Sequence, residues 1–189
     1  MIHFRKLVEA DLEMVLRWRT TPEITRFMTT DVEFDLGAQR IWYQTVVQIH
    51  IPTRHWIICH DNKPIGVFSL TTYDNQTDLI SVGYYLGDLD AWSLGAIVPP
   101  YFYNYMFFRR APNLKAIIGE AFCLNSKVIR MHLMHGWTVT KTLRNHVVKH
   151  GQEFDVSLLE LTRENWIGQQ GRFGAYLTEF EEQHEILRC

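Results

Sequence analysis

Cysteine is scarce. The 189 residues include three, Cys59, Cys123 and Cys189, with no Cys-x-x-Cys pair. Thiols so few and scattered make neither a disulfide framework nor a zinc site, and a reducing compartment fits best. An excess of one charge is also lacking: 19 Lys and Arg stand against 21 Asp and Glu, a formal net charge of -2. A general nucleic-acid binder carries a basic excess, so no nucleic-acid partner is expected. No apolar run approaches the ~20 residues that span a bilayer, so no membrane is expected either. The opening stretch MIHFRKLVEADLEMV places Arg5, Lys6, Glu9, Asp11 and Glu13 where an export signal needs an apolar core. The expected location is therefore the cytoplasm. What the chain does have is 47% hydrophobic and 13% aromatic residues, too apolar for disorder and enough for one well-filled domain.

Periodicity divides the chain into helices and strands. EADLEMVLRWR, over residues 9–19, puts Leu12, Val15, Leu16 and Trp18 near one helical face, with Asp11 as its cap. A second helix is expected within LGAQRIWYQTVVQI, burying Ile41, Trp42, Val46 and Ile49. The segment between them, TTPEITRFMTTDVEF, has no clear period; it fits ordinary loop packing or one wall of a cleft. RHWIICH, IGVFSLTTY and LISVGYYLGD are β-branched and aromatic runs separated by DNKP and DNQT, which predicts an antiparallel meander. A helix over Ile97–Arg110 follows, then a strand in LKAIIGEAFCL. The helix in NSKVIRMHLMHGW has Val128, Ile129, Leu133 and Met134 at helical spacing and Gly136 as its stop. WTVTKTLRNHVV and EFDVSLLEL, joined by KHGQ, read as a long hairpin. The tail is helix-prone after Gly174, with Tyr176, Leu177, Phe180 and Ile186 as apolar positions. One α+β domain accounts for the chain.

Chemical content concentrates where GYYLGD runs through DAWSLGA into a helix. A strand-to-helix turn presents unpaired backbone N–H groups, and the helix dipole adds positive potential, which suits a phosphate. A single glycine, Gly95, is weak support for this, since isolated glycines are usually turns.

The chain resembles the GNAT superfamily of acyl-CoA-dependent N-acetyltransferases. Within it, the likeness is to the branch holding ribosomal-protein-alanine and aminosugar-nucleotide N-acetyltransferases. The matching segments are IHFRKLVEADLEMVLRWRTTPEITRFM, DNKPIGVFSL, ISVGYYLGD, NSKVIRMHLMHGW and LRNHVVKHGQEFDVSLLELTRENW, in the family's order across residues 2–166. The resemblance implies a central mixed, twisted sheet of six to seven strands, splayed between the fourth and fifth and flanked by helices. It implies a domain over residues 1–166, with 167–189 as a helical extension packed on it.

The resemblance also assigns residues. Backbone groups of Val82, Gly83, Tyr84, Tyr85 and Leu86, on a strand that carries a bulge in the family, would hold the pantetheine arm and the thioester carbonyl. Leu94, Gly95 and Ala96 would cradle the pyrophosphate through their N–H groups. Trp92 and Ile97 replace the family's basic or amide residue and its small residue, and Pro99 and Pro100 remove two donors. Asn125 matches an asparagine that reaches the CoA arm, with a plain N-cap as the competing role. Lys127, Arg130, Arg109 and Arg110 are candidates for the 3'-phosphate, or surface charges. His132 stands where the family's proton-donating tyrosine belongs, and an imidazole titrating near ~6.5 can serve as that acid. The alternative is an ordinary helix histidine, paired with His135 in a surface cluster. Ser81 occupies the place of the branch's glutamate, so no general base is evident. Asp31 and Glu33 are candidates for holding the amine, or solvated loop carboxylates.

The expected activity is acetyl transfer from acetyl-CoA to a primary amine by direct attack, with no metal and no covalent enzyme intermediate. The match of LRNHVVKHGQEFDVSLLELTREN to the sugar-nucleotide branch puts a 4-amino-sugar nucleotide first as acceptor. A protein N-terminus or other small amine comes next. The alternative is a GNAT-fold binding or scaffold protein with a degenerate CoA site. A homodimer is left open.

Overall fold

A computed structural model describes residues 1–48, 54–74 and 78–182. The expected core positions Ile49 and Ile186, and most of the DNQT turn, lie outside the described residues. Two pairs of turn residues set the hairpins. Asp61 and Asn62 take positive φ, 49° and 65°, as do His150 and Gly151, 50° and 74°. A two-residue turn of that hand matches the twist of the strands it joins. It fixes β2 (His55–His60) against β3 (Lys63–Asp74), and β6 (Thr138–Lys149) against β7 (Gln152–Thr162). With β1 (Ile2–Lys6), β4 (Leu79–Leu86) and β5 (Ala116–Phe122) they form one seven-stranded sheet in the order β1-β2-β3-β4-β5-β7-β6. The sequence reading passes over IHFRK, whose only strand signal is the inward alternation of Ile2 and Phe4. Pairing from Ile2↔His60 to Lys6↔Trp56 makes it β1.

The central neighbours β4 and β5 are the sheet's parallel pair, and they pair briefly: Leu79↔Ala116, Ile80↔Ile117 and Ser81↔Ile118. Beyond this β4 stays with β3 as far as Leu86↔Gly66, while β5 stays with β7 as far as Phe122↔Val156. The two strands therefore part at Val82 and Gly119, which is the expected splay. The expected bulge on β4 falls elsewhere. The extra residue is Thr71 of β3, between the pairs Leu70↔Val82 and Thr72↔Ser81.

Helices cover both faces. On one, α1 (Leu12–Thr20) and α3 (Leu36–Trp42), which continues as a π-turn over Tyr43–Val47, enclose Leu7, Leu12, Val15, Tyr43, Val47, Ile57, Cys59 and Val67. The π-turn shifts the inward face, so Tyr43 and Val47 are buried while Ile41 is 64% exposed and Val46 lies at the surface, against expectation. Asp11 does not cap α1 through its side chain. Its carboxylate takes both Arg5 guanidinium nitrogens, at 2.7 and 2.6 Å, and the Val8 N–H. On the other face α4 (Val98–Tyr105), with a π-turn over Met106–Arg110, buries Phe102, Tyr103, Met106 and Phe107 against Trp56, Phe68, Ile117 and Leu161. Next to it lies α5 (Ser126–Met134), where Val128 and Ile129 are half-buried but Leu133 and Met134 are exposed; the inward place near the helix end belongs to His135.

After β7 the chain forms α6 (Arg163–Gly168) and α7 (Gln170–Phe173), so among the described residues helix precedes Gly174 rather than following it. From there an extended strap seals the free edge of β1. Phe4 N–H donates to Glu179 O (3.3 Å), Glu181 N–H to Phe4 O (2.8 Å), and Phe180 stacks between Phe4 and Tyr105 at 4.1 and 3.9 Å. A free strand edge and an aromatic slot outweigh helix propensity there.

One close approach fixes β3 against the end of β4. Gly66 sits opposite Leu86, and a methyl on it would lie far inside contact distance of the Tyr85 carbonyl oxygen. Gly66→Ala is expected to cost on the order of 3 kcal/mol, read as a fall of roughly 6–12 °C in melting temperature. Melting within about 1 °C of the parent would refute this close approach.

Candidate active site

Successive side chains of a strand point to opposite faces. Along β4, Val82 and Tyr84 pack with α4, whereas Tyr85 packs against the α1 and α3 side. Beyond Ser81 no β5 residue pairs with β4, which leaves the backbone of Val82, Gly83, Tyr84 and Tyr85 lining an open notch. Trp137 stands at its β5 side: the indole lies 3.5 Å from where a Cβ on Gly119 would be, and the Val82 carbonyl oxygen 3.9 Å from the same point.

The strand-to-helix turn next to the notch is wound tightly. Asp88 accepts the Asp90 N–H (3.1 Å) and pairs with Lys63 (2.6 Å), starting a 3-10 turn over Leu89–Leu94. Gly95 N–H donates to Trp92 O (3.1 Å) and Ile97 N–H to Leu94 O (2.8 Å). Pro99 and Pro100 occupy the first turn of α4 without N–H groups. Among the described residues Ala96 N–H meets no backbone carbonyl, so the turn leaves that donor open. Trp92 donates its indole N–H to Leu86 O (3.1 Å), a bond made with the strand the turn leaves.

Two side chains tie this turn to its surroundings. Tyr84 donates its hydroxyl to Gly95 O at 3.0 Å, with Met131 Sδ at the same distance, and burial pushes its pKa far up. His135, fully buried, holds Ala96 O through Nε2 at 2.9 Å, so that nitrogen carries the proton. Burial pushes its pKa down to about 4, against the opposing pull of that bond. His132 lies one turn earlier, its ring 4.6 Å from Trp137 and its Nδ1 shielded without a partner. Burial first, then the neighbouring His135, push its pKa down to about 3. His135 is interior and His132 half-buried with its Nδ1 shielded, and their lowered pKa values leave both neutral at pH 7, so they are not a surface cluster. The sequence reading missed the anchoring role of His135, whose signal was an imidazole directly before the helix-ending glycine, three residues after His132.

Asn125 caps α5, its side-chain oxygen accepting from Val128 N–H at 3.4 Å. Lys127 and Arg130 are exposed on that helix. Arg109 and Arg110 are at the far end of the α4 segment, about 18 Å of helix from the turn. There they are committed to the strap, Arg110 to Glu182 (2.8 Å) and Arg109 to Glu179 (3.8 Å). They do not gather with the turn as phosphate ligands.

The β6–β7 hairpin tip grips the segment between α1 and α3, which includes α2 (Pro22–Thr25). Lys149 donates to the carbonyls of Thr25 and Met28 (3.1 Å for the latter) and pairs with Asp31 (2.7 Å). His150 Nε2 lies 3.1 Å from Asp31, and Thr25 Oγ1 donates to it at 2.9 Å. The hydrogen bond from Lys149 holds the Asp31 carboxyl below the usual range. Asp31 is thus spent on the hairpin, while Glu33 is exposed. Asp78 pairs with Lys115 (3.2 Å), leaving Ser81 without a carboxylate beside it on β4. Among the described residues no group of three or more His, Cys, Asp or Glu side chains is placed to hold a metal ion, and no helix is long and apolar enough to cross a membrane.

A sheet whose one parallel pair opens into a notch beside a strand-to-helix turn is the architecture of acyl-CoA N-acyltransferases. Residues 2–138 match the acetyltransferase (GNAT) domain family. The chain belongs to that family and is an acyltransferase; GNAT enzymes draw their acyl group from acetyl-CoA. Solved structures share the fold at low identity. Spermidine N-acetyltransferase from Vibrio cholerae, in complex with CoA and spermine, superposes with a TM-score of 0.79 at 13% identity, covering 88% of this chain and 98% of its own. An N-acetyltransferase from Staphylococcus aureus Mu50 gives 0.68 at 16% identity, covering 86% and 98%. A GNAT-family acetyltransferase from Bacillus anthracis gives 0.69 at 13% identity, covering 86% and 95%.

Proposed function

We propose that this enzyme moves an acetyl group from acetyl-CoA to a primary amine by direct attack within the β4–β5 notch. The observation that carries the reading is the parting of β4 from β5 after Ser81↔Ile118, which leaves strand backbone free near Trp137, whose ring lies 4.6 Å from that of His132 with its shielded, partnerless Nδ1. Acetyl-CoA supplies the acetyl group as a thioester. Backbone groups of Val82, Gly83, Tyr84 and Tyr85 hold its arm and steady the charge that gathers on oxygen during attack. Ala96 offers its N–H to the diphosphate, with Leu94 and Gly95 shaping the turn around it. Asn125 and Lys127 sit at the α5 end of the arm. His132 enters the reaction neutral, so it stabilises the departing sulfur as a hydrogen-bond donor and does not deliver an imidazolium proton. The proton that the sulfur takes up is the one the attacking nitrogen must lose, which balances the exchange without a separate base.

For the acceptor we favour a 4-amino-sugar nucleotide, on the likeness of the β6–β7 hairpin to that branch, ahead of a protein N-terminus. Asp31 serves this site indirectly, by fixing the hairpin to the α1–α3 segment, and Glu33 remains the free carboxylate of that segment. The spent N–H groups of Gly95 and Ile97 and the two prolines leave the diphosphate few backbone donors, so modest acetyl-CoA affinity is expected.

Calorimetric titration with acetyl-CoA, combined with thiol release in the presence of amine, tests this reading. Saturable binding with turnover is expected; no heat at millimolar acetyl-CoA would sink the enzyme reading. His132→Phe is expected to lower turnover about tenfold or more while leaving acetyl-CoA affinity unchanged. A rate within about twofold of the parent removes His132 from the chemistry.

A further inference from the structure

We propose that Lys149 is a positioning residue for acetyl transfer: from the tip of the β6–β7 hairpin it latches the α1–α3 segment across the open end of the β4–β5 notch, and so sets where the acceptor amine meets the thioester. The inference rests on the acetyltransferase reading above and deepens it. The notch opens in one direction. β4 and β5 run parallel and pair at their beginnings, from Leu79↔Ala116 to Ser81↔Ile118, so they part toward their C-terminal ends, Leu86 and Phe122. At the β4 lip, Trp18 in the last turn of α1 lies against Gly87, the residue after the strand, so closely that a methyl there would fall inside the indole. At the β5 lip, β7 pairs as far as Phe122↔Val156, and its first four residues, 152–155, carry the hairpin ~13 Å beyond the end of β5. The chain that leaves α1 at the first lip is fastened to the hairpin tip beyond the second, through Thr25, Met28 and Asp31.

The fastening is made by a buried cation. The Lys149 side chain is 6% exposed, and its three ammonium hydrogens have three acceptors in the segment: the carbonyls of Thr25 and Met28 and the Asp31 carboxylate. Other bonds stay inside the segment. Arg19 donates to the Thr30 carbonyl (3.2 Å) and hydroxyl (3.1 Å), and Thr25 Oγ1 to Asp31, which closes residues 19–31 into a loop with Ile24 as its buried apolar side chain. Such bonds give the loop its shape but do not set its place over the sheet. His150 also reaches Asp31, but its side chain is 79% exposed, where solvent and salt weaken an ion pair. Lys149 therefore seats a loop that is already formed. Strand alternation keeps this device apart from the acetyl-CoA side: Tyr84 and His135 hold the phosphate turn on the α4 face, whereas Trp18 and Tyr85 pack on the α1 face. A displacement of about 1 Å in a positioning element is enough to cost a reacting pair much of its rate, so a loose loop is felt by the amine before it is felt by CoA.

The test compares the full chain with Lys149→Met, which keeps the length of the stem and removes the ammonium, and with Lys149→Arg, which keeps the charge. A UDP-linked 4-amino sugar, a peptide with N-terminal alanine and spermidine are the acceptor probes, and the one acetylated fastest serves for the kinetics. Lys149→Met is expected to raise KM for that amine about tenfold and to lower kcat less than about threefold, with acetyl-CoA affinity within about twofold of the parent. Lys149→Arg should fall between the two. Loss of folded protein alone lowers kcat and leaves KM in place, so the split separates positioning from plain destabilisation. Because Asp31 acts through Lys149, Asp31→Ala should raise KM in the parent but change it less than about twofold in Lys149→Met. Hydrogen exchange of the CoA-saturated protein should be at least about tenfold faster over residues 20–31 in Lys149→Met, and unchanged over β2. The latch is overturned by a KM within about twofold of the parent in Lys149→Met, by unchanged exchange over residues 20–31, or by Asp31→Ala keeping its full effect in Lys149→Met, which would put that carboxylate on the amine itself. No binding of acetyl-CoA, or no thiol release with any of the three amines, strikes the acetyltransferase reading instead.

Discussion

Lowering the pH from 7 to 5 is expected to destabilise this protein by on the order of 2 kcal/mol for each of two histidines, His132 and His135. Burial pushes their pKa values down to about 3 and about 4 in the folded chain, whereas an unfolded imidazole titrates near ~6.5. Between those limits the unfolded state binds protons that the folded state refuses. Stability is therefore fully present above pH ~6.5 and is lost as pH falls toward the folded values, with the slope flattening once the buried rings begin to protonate. Denaturant unfolding at pH 7 and pH 5 measures the difference, in a window above the range where most carboxylates titrate. His132→Phe should halve the slope by removing one of the two refused protons. An unchanged stability between pH 7 and 5 would show that the rings are not buried neutral. The same burial has a kinetic counterpart: kcat should show no limb near pH ~6.5 that disappears in His132→Phe.

A comparable loss is expected from one amide in α4. Asn104, 1% exposed, donates from Nδ2 to the carbonyls of Phe173 (2.8 Å) and Tyr176 (2.9 Å). Its Oδ1 accepts from Trp166 Nε1 (3.0 Å) and Gln170 Nε2 (3.1 Å). Both amide hydrogens and both oxygen lone pairs are used, so one side chain closes the α6–α7 segment onto the domain. Asn104→Leu fills the volume but orphans the Trp166 indole N–H and two carbonyls in a dry interior, each at ~1–3 kcal/mol. With partial relaxation the expected cost is on the order of 4 kcal/mol, a fall of roughly 8–16 °C in melting temperature for a chain of this size. The strap beyond Gly174 should become sensitive to protease in the same variant. A stable variant with a protected strap would mean that the tail is held by Phe180 and Glu182 without Asn104.

The features legible in the sequence were those written locally. Asp61-Asn62 and His150-Gly151 announce their hairpins because so few residues tolerate left-handed backbone. The strands they join are long enough for composition to speak. β1 was missed because five residues of mixed polarity become a strand through pairing with β2, a contact to residues some fifty positions away. The faces of α3 and α5 were misjudged for a different reason: a π-turn at Tyr43–Val47 rotates the inward set, and a buried His135 takes a place that a hydrophobic pattern assigns to Leu133 or Met134. Of the site, positions on β4, the turn and α5 followed from family likeness. The protonation states and the partnerless donors did not, because burial is a property of the packed chain.

The strap that carries Phe180 has one more consequence. Backbone bonds at Phe4 and the bond from Thr178 Oγ1 to Ile2 O (2.6 Å) occupy the outer side of β1. At the opposite limit of the sheet β6 runs twelve residues, Thr138–Lys149, and among the described residues no strand lies beyond it. Its outline is broken near Asn145, where φ is 50° and Asp155 accepts the Asn145 N–H (2.9 Å). Among the described residues the sheet thus has one flank closed by its own chain and one flank open, so lateral addition of a further strand has a single direction available to it.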